Sequence, residues 1–134
     1  MDANDRARAS LVRGICRFAE HLYKVTQKLE FKLYRTDSGG TMYVGQYDCR
    51  SESLHRFDED GRVWHDTWDT SHHNGDPYNE KSTELSVDDA TRFLSDLYQR
   101  LTDAAVDHEI RLLRKSNEDR LRATALKNLQ AKLR

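Results

Sequence analysis

The sequence predicts an α+β fold: an N-terminal helix, an antiparallel β-meander of four to five strands, then one long or two C-terminal helices. Apolar residues recur at the 3.6-residue period of a helix up to residue 29 and at the two-residue period of strands up to residue 85. From residue 90 the helical period returns. Two glycine-bearing turn signals, Asp37-Ser38-Gly39-Gly40 and Asp58-Glu59-Asp60-Gly61, punctuate the middle.

Leu11, Ile15, Phe18, Leu22, Val25 and Leu29 lie 4, 3, 4, 3 and 4 residues apart, one continuous stripe on a helix. Val12, Cys16, Ala19 and Tyr23 widen it. This helix is expected from about Asn4 to Thr26, with Asn4 or Asp5 near its cap. Phe31 and Leu33 then alternate with Lys32 and Tyr34 as a first strand. Thr41 to Tyr47, Ser53 to Phe57 and Arg62 to Trp68 follow as strands, and Thr83 to Leu85 as a short fifth one. Ser86-Val87-Asp88-Asp89 has the spacing of a capping box. Ala90, Phe93, Leu94, Leu97, Tyr98 and Leu101 follow at helical spacing, and Ser116-Asn117-Glu118-Asp119 offers a second start.

With 134 residues, 37% hydrophobic and 34% charged, the chain supports a single domain over 1–134 with a modest core and an ionic surface. Within it, 1–28 is helical, 29–85 is sheet with an acidic loop at 69–82, and 86–134 is helical. Arg6, Arg8, Arg13, Arg17, Lys24 and Lys28 interrupt the apolar pattern of the first thirty residues, so no signal-peptide core is expected. No run approaches the roughly 18 apolar residues of a membrane span. Cys16 and Cys49 are far apart and lack CxxC spacing, which fits free thiols in a reducing compartment. A cytoplasmic protein is the expectation.

Reactive side chains crowd into one stretch: His65, Asp66, Asp69, His72, His73 and Asp76. Imidazole and carboxylate are ligands for zinc, manganese or iron, so His65, Asp69, His72, His73 and Asp76 form a candidate divalent-metal set. Their spacing matches neither HExxH nor HxxEH, and no cysteine joins them. No catalytic residues are assigned, since GxSxG, GxGxxG and the P-loop are all absent. His55 on the third strand is a weak addition if pairing sets it beside His65. A metal-dependent nuclease or hydrolase using this loop is the enzymatic alternative; no cofactor beyond that metal is expected.

Strand alternation assigns Phe31, Leu33, Met42, Val44, Leu54 and Val63 to the helix-covered face. Tyr34, Tyr43, Tyr47, Phe57, Trp64 and Trp68 then fall on the opposite one. An aromatic face serves as a protein hot spot or as a base-stacking platform. Strands three and four supply only Arg56 and Arg62 as cations, which favours protein. Charge is also segregated. The net charge of −1 conceals +3 over residues 1–50, −8 over 51–90 and +4 over 91–134. The acidic block suits the basic surface of a nucleic-acid-handling protein. The expected partner surface combines Tyr43, Tyr47, Asp58, Glu59, Asp60, Trp64, Asp66, Trp68, Asp69 and Asp76.

The C-terminal helix is basic, with Arg111, Arg114, Lys115, Arg120, Arg122 and Lys127 as candidate phosphate contacts and Leu121, Leu129 and Leu133 as an apolar edge. Homodimerisation through residues 87–134 is the preferred use, a dimeric DNA-binding regulator the alternative. As a short, ionic α+β chain with an acidic surface and no catalytic motif, it resembles small mobile-element or toxin-system inhibitors such as anti-CRISPR or immunity proteins. That likeness is one of class rather than of motif. It implies a non-enzymatic protein-binding domain that blocks a nucleic-acid-handling protein stoichiometrically.

Overall fold

A computed structural model describes residues 2–36, 40–45, 52–69 and 78–134. Tyr47, Cys49, His72, His73, Asp76 and most of the Asp37–Gly40 turn lie outside them. Two compact units divide the chain, 1–102 and 103–134.

In the first unit, helix α1 spans Ala3–Thr26 and is capped by Asp2 rather than by the expected Asn4 or Asp5, with Asp5 at the third helical position instead. The Asp2 carboxylate accepts from the Asp5 N–H at 2.8 Å, and the Asp2 N–H donates to the Asp5 carboxylate at 3.4 Å. This reciprocal box satisfies two of the four N–H groups a helix start leaves over. Gln27 ends the helix in the left-handed region, its N–H bonded to the Tyr23 carbonyl at 2.8 Å. Ala9, Val12, Ile15, Ala19 and Leu22 form the buried face, whereas Val25 and Leu29 are exposed. The stripe is therefore rotated toward the residues that widen it.

After a short 3-10 turn at Leu29–Phe31 come β1 (Leu33–Arg35), β2 (Thr41–Val44), β3 (Ser53–Asp58), β4 (Val63–Asp69) and β5 (Tyr78–Glu84). They form one antiparallel sheet in the order β1-β2-β3-β4-β5. The strand expected from Phe31 starts at Leu33, and the strand end expected at Tyr47 lies outside the described residues. The fifth strand starts well before Thr83, taking in residues assigned to the acidic loop. Glu80, Lys81, Ser82, Thr83 and Glu84 are exposed on both faces of an edge strand, so no apolar alternation marks them.

Pairing registers Met42 with Phe57 and Phe57 with Val63, so these three share a face. Both helices meet the sheet there: Cys16 Sγ of α1 lies 3.8 Å from Met42 Sδ, and Phe93 stacks on His55, 4.6 Å between centroids. Phe57, Ile15, Leu22, Leu94 and Val63 are fully buried, each stabilising by about 1.5–3 kcal/mol. Two sequence assignments are thereby exchanged: Phe57 belongs to the core, and Leu54, opposite Asp66, to the outer face. Alternation sets a strand's two faces, but the turn decides which face of one strand joins which of the next.

Helix α2 spans Val87–Lys132 without interruption. Ser86 Oγ accepts from the Asp89 N–H at 3.2 Å, as its spacing predicts. No second start occurs at Ser116: the helix runs straight through it, and Asn117 Oδ1 accepts from the Arg120 guanidinium at 2.8 Å. In the first unit Ala90, Leu94, Leu97 and Leu101 are buried. Phe18 meets Tyr98 edge-on at 5.7 Å, and a Cβ on Gly14 would stand 2.4 Å from the Tyr98 ring. That glycine lets α1 and α2 approach. Among the described residues, no helix is long and apolar enough to cross a membrane.

Gly61 closes the β3–β4 turn at φ 88°, with the Arg8 Cβ 2.4 Å from where its own would lie. Both the backbone conformation and the close approach demand glycine. Gly61→Ala is expected to destabilise the fold by about 1–3 kcal/mol, seen as a lower urea midpoint at an unchanged slope.

Candidate interaction surface

The outer sheet face, opposite the one that meets Cys16 and Phe93, gathers stacked aromatic and charged side chains. Tyr34 and Tyr43 are cross-strand partners whose rings stack at 4.9 Å and 11°. Trp64 sits half-buried between two cations: the guanidinium of Arg56, its cross-strand partner, at 4.7 Å from the ring centroid, and that of Arg62 at 5.0 Å. Such contacts contribute on the order of 0.5–1 kcal/mol where exposed. They also occupy the indole π-face that base stacking would need.

Acidic groups fix these cations. Arg56 Nε donates to Asp66 Oδ2 at 2.6 Å and Arg56 Nη2 to Ser82 Oγ at 2.7 Å, tying β3 to β4 and β5. Arg62 Nε donates to Glu84 Oε1 at 2.5 Å, a pair exposed enough to contribute little stability. Beside this network lies a hollow of about 390 Å³ lined by Leu54, Arg56, Asp66, Trp68, Glu80, Lys81 and Ser82.

The expected partner residues divide by location. Trp64 and Tyr43 belong to the outer face. Trp68 lies beside them but is only 7% exposed, so it lines the hollow rather than extending a platform. The ladder shifts between Thr67 and Asp69, and Asp69 pairs with Tyr78 across that irregularity. Asp66 serves Arg56. Asp58 is structural: its carboxylate accepts from the N–H groups of Asp60 at 3.0 Å and Arg62 at 2.9 Å, holding the turn. Glu59 and Asp60 are turned toward α1 and border a different cleft.

Of the metal set, only His65 and Asp69 are described. His65 lies on the inner face, registered with His55, and their rings stack at 4.4 Å and 14°. Face-to-face imidazoles do not converge their nitrogens on one point. Among the described residues, no three His, Cys, Asp or Glu side chains gather around a common centre. Sequence reasoning raised the His55–His65 contact but missed Phe93, which completes the stack. The helical periodicity of residues 90–101 was the available signal for it.

The basic set, Arg111, Arg114, Lys115, Arg120, Arg122 and Lys127, lies in the second unit and is exposed throughout. At about 100° per residue, Arg111, Arg114, Lys115 and Arg122 share one side of the helix, with Arg120 and Lys127 opposite. No protein family, characterised protein or solved structure matches the chain.

Burial holds the His55 imidazole below its ordinary pKa of 6.5, reinforced by His65 and opposed by Asp66. The folded state thus binds fewer protons there than the unfolded chain. The stability contributed is complete above pH 6.5 and lost as pH falls through the lower folded value. His55→Phe, which keeps a ring on Phe93, is expected to flatten the fall in Tm between about pH 7 and pH 5 relative to wild type.

Proposed function

We propose that this chain is a non-enzymatic protein-binding domain that pairs with a second copy through the C-terminal part of α2. It offers its outer sheet face to a nucleic-acid-handling protein, which it blocks stoichiometrically. One observation carries the reading: of the eleven exposed large hydrophobics among the described residues, eight lie between Val106 and Leu133. Leu113, Leu121 and Leu133 are 63%, 60% and 76% exposed. Apolar surface concentrated this way marks an association site.

Helical geometry groups these residues into two rows. Val106, Ile110, Leu113 and Leu121 lie within an arc of about 100°, and Leu112, Leu126, Leu129 and Leu133 fall in a second arc of similar width. Two such rows serve helix-to-helix packing better than a flat groove. Asn117 falls within the first, where an asparagine among leucines selects register and oligomer size at some cost in stability. The excess of Lys and Arg in 103–134 keeps the segment soluble before it pairs.

Support for the second partner comes from the outer face. Trp64 is the aromatic anchor, the adjoining hollow the receptor, and Glu80 the acid at its rim that complements a basic surface, since Asp66 and Glu84 already hold Arg56 and Arg62.

Light scattering is expected to give twice the 15.7 kDa chain mass for the wild type. Leu113→Glu with Leu121→Glu should give the single-chain mass with the helical circular-dichroism signal retained. A wild-type monomer overturns the self-association. Trp64→Ala with Glu80→Lys should weaken capture of the native partner, identified by mass, at least tenfold, whereas a partner that handles no nucleic acid sinks the inhibitor reading.

A further inference from the structure

A second cleft, of about 650 Å³, opens in the first unit between α1, β1–β2 and the β3–β4 turn. Its size falls within the roughly 300–1,000 Å³ typical of small-ligand pockets. The floor is apolar, formed by Ala9, Val12 and Met42, with the half-buried Cys16 thiol beside them. One wall is cationic. Arg6 and Arg13 are two turns apart on the α1 face that carries Ala9 and Val12, and Arg35 reaches in from β1 with Nη1 3.2 Å from Met42 Sδ. The facing wall is anionic, made by Glu59 and Asp60.

The charges face one another without meeting. Among the described residues, Arg6, Arg13, Arg35, Glu59 and Asp60 form no ion pair within 4.0 Å, while Arg8, in the next register of α1, pairs with Asp5. The turn cannot swing across to close the gap: Gly61 is wedged on Arg8, and Asp58 is bonded to its own loop.

We infer that this cleft binds a short peptide with apolar side chains and free termini, its carboxylate on the arginine wall and its ammonium on Glu59 and Asp60. A purely anionic ligand would leave the two carboxylates facing it, and a purely apolar one would bury five charges without partners. A zwitterion with an apolar body matches all three lining chemistries. The site is separate from the outer face and the C-terminal helix, so it does not depend on the function proposed above.

The probe is trileucine, titrated calorimetrically into the full chain alongside its N-acetylated and C-amidated derivatives. Saturable binding is expected, weakened about three- to tenfold by either cap. Arg13→Gln should weaken trileucine similarly and abolish the penalty for amidation, while Glu59→Gln should abolish the penalty for acetylation. In a Cys49→Ser background, bound trileucine should also slow alkylation of Cys16. Unchanged thermal melting of both variants separates loss of the site from loss of the fold. The assignment is overturned by no saturable binding at low-millimolar peptide, by capped peptides that bind as well as the parent, or by penalties that persist in both variants.

Discussion

The β3–β4 turn is the constraint on which the arrangement of this protein rests. Asp58 accepts two backbone N–H groups, Gly61 takes a positive φ, and the connection that results sets Phe57 opposite Val63. Every other registration in β3 and β4 follows: His55 on His65, Arg56 on Trp64, Leu54 on Asp66. A turn one residue longer or shorter would shift the pairing and move each of these side chains to the wrong neighbour. The same turn is anchored to α1, because Gly61 packs on the backbone and Cβ of Arg8. The helix, the sheet register and the walls of the α1 cleft are thus fixed by one close approach.

From that register the two faces acquire different chemistry. The inner face is apolar at Met42, Phe57 and Val63 and then carries the imidazole pair where Phe93 covers it. The outer face is a ladder of cation, indole and carboxylate, with most charges already partnered. A partnered network presents a rigid surface, which lowers the entropy lost when a protein docks on it. It also distinguishes acids held in place, such as Asp58 and Asp66, from those open to a ligand, such as Glu59, Asp60 and Glu80. The −8 charge of residues 51–90 is therefore not one patch but several carboxylates with separate tasks.

Residues 103–134 follow a different rule. Their apolar residues fall in two rows rather than the single stripe of α1, and from Glu109 onward every residue is exposed. Isolated helices are marginal in water, and most helical stability in proteins comes from packing an apolar face. A segment carrying eight exposed large hydrophobics buries none of them within the chain, which is the physical basis for the dimer seam proposed above.

Periodicity and capping signals alone determined the fold class, the C-terminal end of α1, the places of β2 to β4 and the capped start of α2, because each depends on side chains within a few residues. It also brought out the acidic middle and the basic end. The rest required tertiary structure. The length of β5 was hidden because both its faces are wet and its residues polar. The exchange of Phe57 and Leu54 was hidden because alternation is symmetric until a turn breaks the tie. Ser116 looked like a helix start because capping residues signal only the possibility of a cap, and the helix runs through it unbroken. The cleft of arginines and acids was invisible for a simpler reason: its walls come from residues 6–16, 35–42 and 59–60, which only the packing of Gly61 on α1 brings together.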